Sequence, residues 1–429
     1  MKLNNGVAEG TLHNPMFLVL VMCTIISPVM PGVALAVIAA VTWWKRRGEL
    51  HEFDLVSVIL LALTAVAVVA TFIQQTPWGF VSIFAFVMYF WVYNWFKKSV
   101  SHAQFYNGLS VMGVTGAAIV LIMLVNRAGG FDFLPATLQY FFGLESWKPT
   151  DSLRSTGTSG NANLAAGLLV CLALISFYKI IVPGRLFLRR RALWAGLFAL
   201  YMVGFELTGT RMAWIALSFG VAVQLWFLHG RRVREHVRQF HFSNLFIFFA
   251  AAALLLLVNK EWLPRQASFN TDLSLRLQIW ERALHLFQHD WMFGVLPLHF
   301  GEVFKAHYGQ YEFHAHNLWI GFAVDFGILG FALFMLLLIT SLRRGIQWIR
   351  WAETECDRGL AIMLLSIVFA FFGQGLADYT VLVPQTGWLF LMSLGYIHIR
   401  WLQLAPLKQP QNEQHKFTHS TRKVNPLPK

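Results

Sequence analysis

DLVSVILLALTAVAVVATFI, residues 54–73, carries one ionisable side chain in twenty residues, and that one stands first. As an α-helix it is about 30 Å long, the thickness of a bilayer's hydrocarbon core. Comparable runs recur at about 80–96, 103–125, 161–182, 192–208, 210–228, 241–258, 317–340, 359–377 and 382–401. The first apolar stretch, 16–44, is broken by Ser27-Pro28-Val29-Met30-Pro31-Gly32. Proline cannot continue a helix without losing a hydrogen bond, so it reads as two short spans, 16–27 and 32–44. The expectation is an all-α polytopic membrane protein of about twelve transmembrane helices, with no outer-membrane barrel, whose strands would alternate in polarity. A single integral membrane domain covers 1–401, and the polar stretch 402–429 reads as a disordered tail.

Composition agrees. Of 429 residues, 57% are hydrophobic and only 13% charged, and mean hydropathy is +0.55. The net charge of +13 is not a nucleic-acid footprint, because it is distributed as short basic clusters between apolar runs. Lys45, Arg46, Lys97, Lys98, Arg189, Arg190, Arg231, Arg232, Arg343, Arg344 and their neighbours put 25 of the 34 Lys and Arg on one side. By the positive-inside rule that side is cytoplasmic and holds both termini. Two long segments, about 126–160 and 259–316, then face outward. Cys23, Cys171 and Cys356 have no metal or disulfide spacing. Ala34–Ala36 faintly resembles a cleavage site but reads as part of an uncleaved first span.

Within the larger outer segment, Leu273, Leu277, Trp280, Leu284 and Phe287 share one helical face, with Arg276, Glu281 and Gln288 elsewhere. That pattern predicts an amphipathic helix at the outer membrane surface or packed on the spans beneath it.

Three groups of residues can carry chemistry. The first is Glu312, His314, His316 and Asn317, with His307 upstream, where polar sequence meets a span. In an extended chain Glu312, His314 and His316 share a side. They fit a metal site, a helix cap at Asn317 or His316, or a general base. The second group is the outward arginines. Arg211 opens a span after a very short turn, with Glu206 as a possible structural partner, while its planar fork suits phosphate. Arg265, Arg276 and Arg282 add guanidinium groups on that side. The third is Arg154-Ser155-Thr156-Gly157-Thr158-Ser159-Gly160-Asn161-Ala162-Asn163, a tight loop ending in helix-capping asparagines. Asp325 and Asp378, near membrane depth, are functional candidates or a packing pair.

The order Arg154…Gly157…Gly160-Asn161…Asn163, Thr210-Arg211, Arg276…Trp280, Gly294, His314…His316-Asn317…Gly327…Gly330 resembles the O-antigen ligase and polymerase superfamily over about 150–340. Length and modest loops look most like its ligases. Ser159 and Ala162 replace the family's frequent Phe and Pro, and Asp325 its usual Glu. The resemblance implies a GT-C-like inner-membrane glycosyltransferase with its active site facing the periplasm. It would transfer O-antigen from undecaprenyl diphosphate to the lipid A–core oligosaccharide, with inversion and without metal, ATP or other cofactor. His316, with His314 as alternative or neighbour, is then the base. Arg211 and Arg265 or Arg276 hold the diphosphate, and Arg154, Asn161, Asn163 and Asn317 bind or position substrate. An O-antigen polymerase, a related protein glycosyltransferase and, more distantly, a lipid-linked oligosaccharide flippase are the competing readings. A flippase predicts repeated halves and charges deep in several spans.

Overall fold

A computed structural model describes residues 14–46, 53–146, 154–182, 188–236 and 269–408. The expected span 241–258, Arg265 and the expected tail beyond 408 lie outside these residues. Among those described, the chain is helical throughout its regular structure. Seven helices are long and apolar enough to cross a membrane: Leu55–Gln74, Gly79–Ser99, His102–Arg127, Ala162–Ile181, Arg211–Leu228, Leu318–Trp351 and Glu355–Gly375. The expected first break is present, with Pro15–Ile26 and Met30–Arg46 flanking it as two short helices. Leu188–Thr208 and Pro384–Lys408 complete the bundle.

Helix starts are written locally. Asp54, Ser101, Asn161, Asn317 and Thr354 each accept a backbone N–H of the first turn through a side-chain oxygen, which satisfies donors the helix itself leaves open. Ala162–Ile181 and Glu355–Gly375 are central, 83% and 78% of their apolar windows being buried. Close approach needs small residues. A methyl group on Gly359 would run into the Tyr178 hydroxyl, and one on Gly204 would lie 2.8 Å from Leu169.

Each end of the bundle has its own polar fastening. At the end carrying Lys45, Lys97 and Arg400, Asp54 accepts from Tyr93 Oη at 2.8 Å and Lys97 Nζ at 3.0 Å. Asp357 accepts there from Trp348 Nε1 and Arg400 Nε, both at 3.0 Å. The opposite end holds the described segments 143–146 and 154–161, 207–211, 290–317 and 376–383, and every described candidate site residue.

The expected amphipathic surface helix is present as Phe269–His289. Leu273, Leu277 and Leu284 are 41%, 51% and 46% exposed. The residues against the protein are Ile279, Ala283 and Leu286, packed on Val295, Phe300, Phe304, Ala315 and Val324. At 3.6 residues per turn the two stripes lie about 130° apart. Phe287, of the expected stripe, packs with the inner one, and the three leucines face away from the protein. The inner stripe continues at helical spacing through Arg276 and Asp272, which aims both at the bundle.

Leu318–Trp351, 34 residues long, is broken at Gly327, whose φ of +63° and ψ of −173° are not helical. Freed backbone groups pair with the segment before the helix. Val295 N donates to Val324 O and Leu296 N to Asp325 O, both at 2.9 Å, and Ile328 N donates to Trp291 O at 2.7 Å. This is how irregular backbone is tolerated at membrane depth, satisfied by protein rather than lipid.

A histidine–carboxylate site beside paired arginines

The segment between Tyr308 and Leu318 is short and fully anchored. Gly309 ends the preceding helix in the left-handed conformation, φ +70°. Alternation from there places Glu312, His314 and His316 together while Ala315 is buried between them. Asn317 caps the next helix, its Oδ1 accepting from Trp319 N and Ile320 N at 2.9 and 3.0 Å. Its Nδ2 donates to Leu376 O at 2.9 Å, tying the segment to the end of Glu355–Gly375. His316 itself has φ +50°, a conformation that costs a non-glycine residue about 1–3 kcal/mol and recurs at functional sites.

The rings of His314 and His316 lie 4.2 Å apart. Asp378 Oδ1 is 3.8 Å from His316 Nδ1 and 4.0 Å from His314 Nε2. Glu312 Oε2 stands 3.8 Å from His316 Nε2 on the other side. The His316 ring is therefore flanked by carboxylates at both nitrogens. Asp378 is held in place by the N–H of Tyr379, which donates to its Oδ1 at 2.8 Å. Burial pushes the Asp378 carboxyl up, but the His316 imidazole 3.8 Å away and the charges of His314 and Arg276 outweigh it. The result is a carboxylate held well below its usual range. Tyr379 goes the other way. Burial and then the nearby Asp325 push its phenol well above 10, keeping it a donor.

His314, His316 and Asp378 have ligand atoms within 4.8 Å of one another, a spacing that a metal ion could draw together. The hydrogen bonding opposes it. His316 N donates to His314 Nδ1 at 3.0 Å, so Nδ1 is the acceptor and the proton of a neutral His314 sits on Nε2. That is the nitrogen facing Asp378, and a protonated nitrogen cannot ligate. The arrangement suits a hydrogen-bonded base better than a metal centre.

Arg211 opens its helix one residue after Thr210, where Gly209 at φ +58° lets the chain reverse. Its Nη1 meets Asp272 Oδ2 at 3.2 Å, with the Arg211 side chain 13% exposed. The carboxylate found opposite it thus comes from the surface helix, 61 residues on. Arg276, one turn beyond Asp272, is close enough for its charge to act on Asp378. Arg211, held by Asp272, and Arg276 thus meet the same edge of the surface helix one turn apart.

Arg154 is fastened locally, in keeping with a positioning or structural place. Its Nε donates to Thr208 O at 2.9 Å, and its Nη2 to Asn163 Oδ1 at 2.6 Å and Thr210 Oγ1 at 2.8 Å. It fastens loop 154–163 onto the turn that presents Arg211. Asn161 is the helix cap, accepting from Asn163 N and Leu164 N. Asn163 is further fixed by Gln374, which donates to its carbonyl at 2.9 Å. The structure thus brings His314, His316, Arg211, Arg276 and Asn317 to one end of the bundle, with Arg154, Asn161 and Asn163 as the scaffold under Arg211.

Sequence reasoning missed the pairings of Asp378 with the histidines and of Asp272 with Arg211. The first had a signal, since Asp378 follows an apolar run as Asn317 precedes one, and adjacent antiparallel helices bring such ends together. Asp272 had none beyond its helical register with Arg276.

Fold and site together define a multi-pass, all-helical membrane protein with a histidine–carboxylate cluster flanked by arginines at one end. Residues 196–335 match the O-antigen ligase family model, which supports membership of the O-antigen ligase/polymerase superfamily. That stretch runs from the helix before Arg211 to beyond the Gly327 break and includes both histidines. No curated protein matches the chain significantly.

Proposed function

We propose that this protein is an O-antigen ligase, a twelve-span GT-C-like glycosyltransferase of the bacterial inner membrane whose site faces the periplasm. It moves O-antigen polysaccharide from undecaprenyl diphosphate to a hydroxyl of the lipid A–core oligosaccharide. The observation that carries the reading is His316, held between Asp378 and Glu312 and beside the edge that presents Arg211 and Arg276.

The step is a single displacement. The acceptor hydroxyl oxygen attacks the anomeric carbon as the carbon–oxygen bond to the diphosphate breaks, and the configuration inverts. The hydroxyl proton passes to His316. With Nδ1 turned to Asp378, Nε2 is the nitrogen that takes it, and the imidazolium lies between two carboxylates. A positioned base of this kind contributes about 10²–10⁴-fold. The charge developing on the departing undecaprenyl diphosphate is met by Arg211 and Arg276, already in place without proton transfer. His314, whose Nε2 lies 4.0 Å from Asp378 Oδ1, adds a second imidazole beside that carboxylate. Arg265 is assigned to the same diphosphate on its position in the sequence alone, and no cofactor or metal enters the scheme.

The test is a transfer assay with undecaprenyl-diphosphate-linked O-antigen and lipid A–core, without ATP and with a chelator present. Wild type is expected to build a ladder on the core, and His316→Ala and Arg211→Ala to build none. Glycan lengthening on undecaprenyl diphosphate with a bare core would make the protein a polymerase. Loss of transfer on chelation would overturn the metal-free scheme.

A further inference from the structure

The surface helix orders the site along its axis. Asp272, with Arg211, sits at one end, and Arg276, acting on Asp378, lies about 6 Å further along. Another 9 Å or so on, Arg282 Nη1 donates to Gln310 Oε1 at 3.4 Å. Gln310 Nε2 in turn donates to Glu312 Oε1 at 3.1 Å, and Glu312 flanks His316. Beside them the Tyr308 hydroxyl lies 3.1 Å from His285 Nδ1, and Arg282 lies 5.2 Å from the Tyr308 ring centroid. The base therefore stands between two unlike surfaces. One presents guanidinium groups to a diphosphate. The other is an accessible band of amide, guanidinium, phenol and imidazole groups held by long, exchangeable bonds.

An inverting displacement needs the attacking hydroxyl and the leaving diphosphate on opposite sides of the anomeric carbon. If Arg211 and Arg276 hold the leaving group, the attacking sugar occupies the far side of His316, where Arg282, Gln310, Tyr308 and His285 are. Planar amide and guanidinium groups that each offer several hydrogen-bonding sites suit vicinal sugar hydroxyls and phosphorylated sugars. We infer that the band formed by Arg282, His285, Tyr308, Gln310 and Glu312 is the binding site for the acceptor oligosaccharide. This inference rests on the ligase reading for the direction of attack but is tested without transfer.

The experiment measures binding of two glycans to purified full-length protein: core oligosaccharide freed of lipid A by mild acid, and O-antigen polysaccharide freed of its lipid. The variants are Arg282→Gln, Gln310→Ala and the double substitution, all on accessible side chains, with thermal melting to confirm folding. We expect core oligosaccharide affinity to fall about tenfold or more in the double variant while polysaccharide affinity holds. In transfer assays the KM for acceptor rises and that for donor does not. Unchanged core affinity would overturn the inference, as would a selective loss of polysaccharide binding, which would give the band to the donor. Band-dependent core binding by a protein that transfers nothing would instead sink the ligase reading and leave this one standing.

Discussion

Replacing Asp378 by Asn removes one negative charge from a point 3.8 Å from His316 Nδ1 and 4.0 Å from His314 Nε2. Shape and the contact with Tyr379 are nearly kept. At 3.8 Å a unit charge pair is worth about 1 kcal/mol at the dielectric of water and about 4 kcal/mol at an effective value of 20. The Asp378 side chain is 6% exposed and that of His316 17%, so the upper part of this range applies. The imidazolium formed as the acceptor loses its proton is less stable by that amount, and the rate falls between about a hundredfold and a thousandfold. The same loss makes His316 harder to protonate. The acid limb of the kcat/KM profile, which reports protonation of the free base, moves to lower pH by at least about one unit. The assay is initial-rate transfer to lipid A–core between pH 5 and 9, in both proteins. A rate within twofold of wild type with an unmoved acid limb would refute the pairing of Asp378 with the base.

Three further outcomes follow from the geometry. Arg211→Lys keeps the charge but loses the fork, and KM for the lipid-linked donor should rise about tenfold in steady-state assays, with Arg211→Ala worse. Asn317→Ala removes the cap and the tie to Leu376, and should cost about 1–2 kcal/mol, read as a lower melting temperature in detergent, whereas Asn317→Asp should keep most of the cap. Because the Asp378 carboxyl is depressed in the folded state, its stabilisation is present above its unfolded pKa of about 3.9 and is lost as pH falls through the folded value. The stability advantage of wild type over Asp378→Asn should therefore shrink as pH falls below about 4, measured by melting at each pH.

Helices were legible because each long apolar run has one stable arrangement in a bilayer, and their starts because Asp54, Asn161 and Asn317 announce themselves. The cluster of Glu312, His314 and His316 was legible because alternation is a local rule. What escaped depended on tertiary register. Leu273, Leu277 and Leu284 obey helical spacing as well as Ile279, Ala283 and Leu286 do, so periodicity alone could not say which stripe meets protein. Arg154 resembled a ligand residue, because its acceptors, Thr208 and Thr210, come from a turn more than fifty residues away. Asp325 was flagged as an intramembrane acid, but its place beside a helix break depends on Gly327 and the pairing with 291–296.

The helix that Asn317 caps runs without a gap in its chain to Trp351, about 50 Å at helical rise, well beyond a hydrocarbon core of about 30 Å. Near its far end Trp348 is bonded to Asp357 and Arg344 to His398. Such a rod adapts to bilayer thickness by tilting or by bending at Gly327. His316 stands two residues before its first residue, next to the Asn317 cap, so the proposed base is carried along with any tilt, while Arg211 rides on a different helix. If His316 and the arginines act as proposed, their spacing is expected to respond to the acyl-chain length of the surrounding lipid, read as a change in transfer rate between thin and thick bilayers.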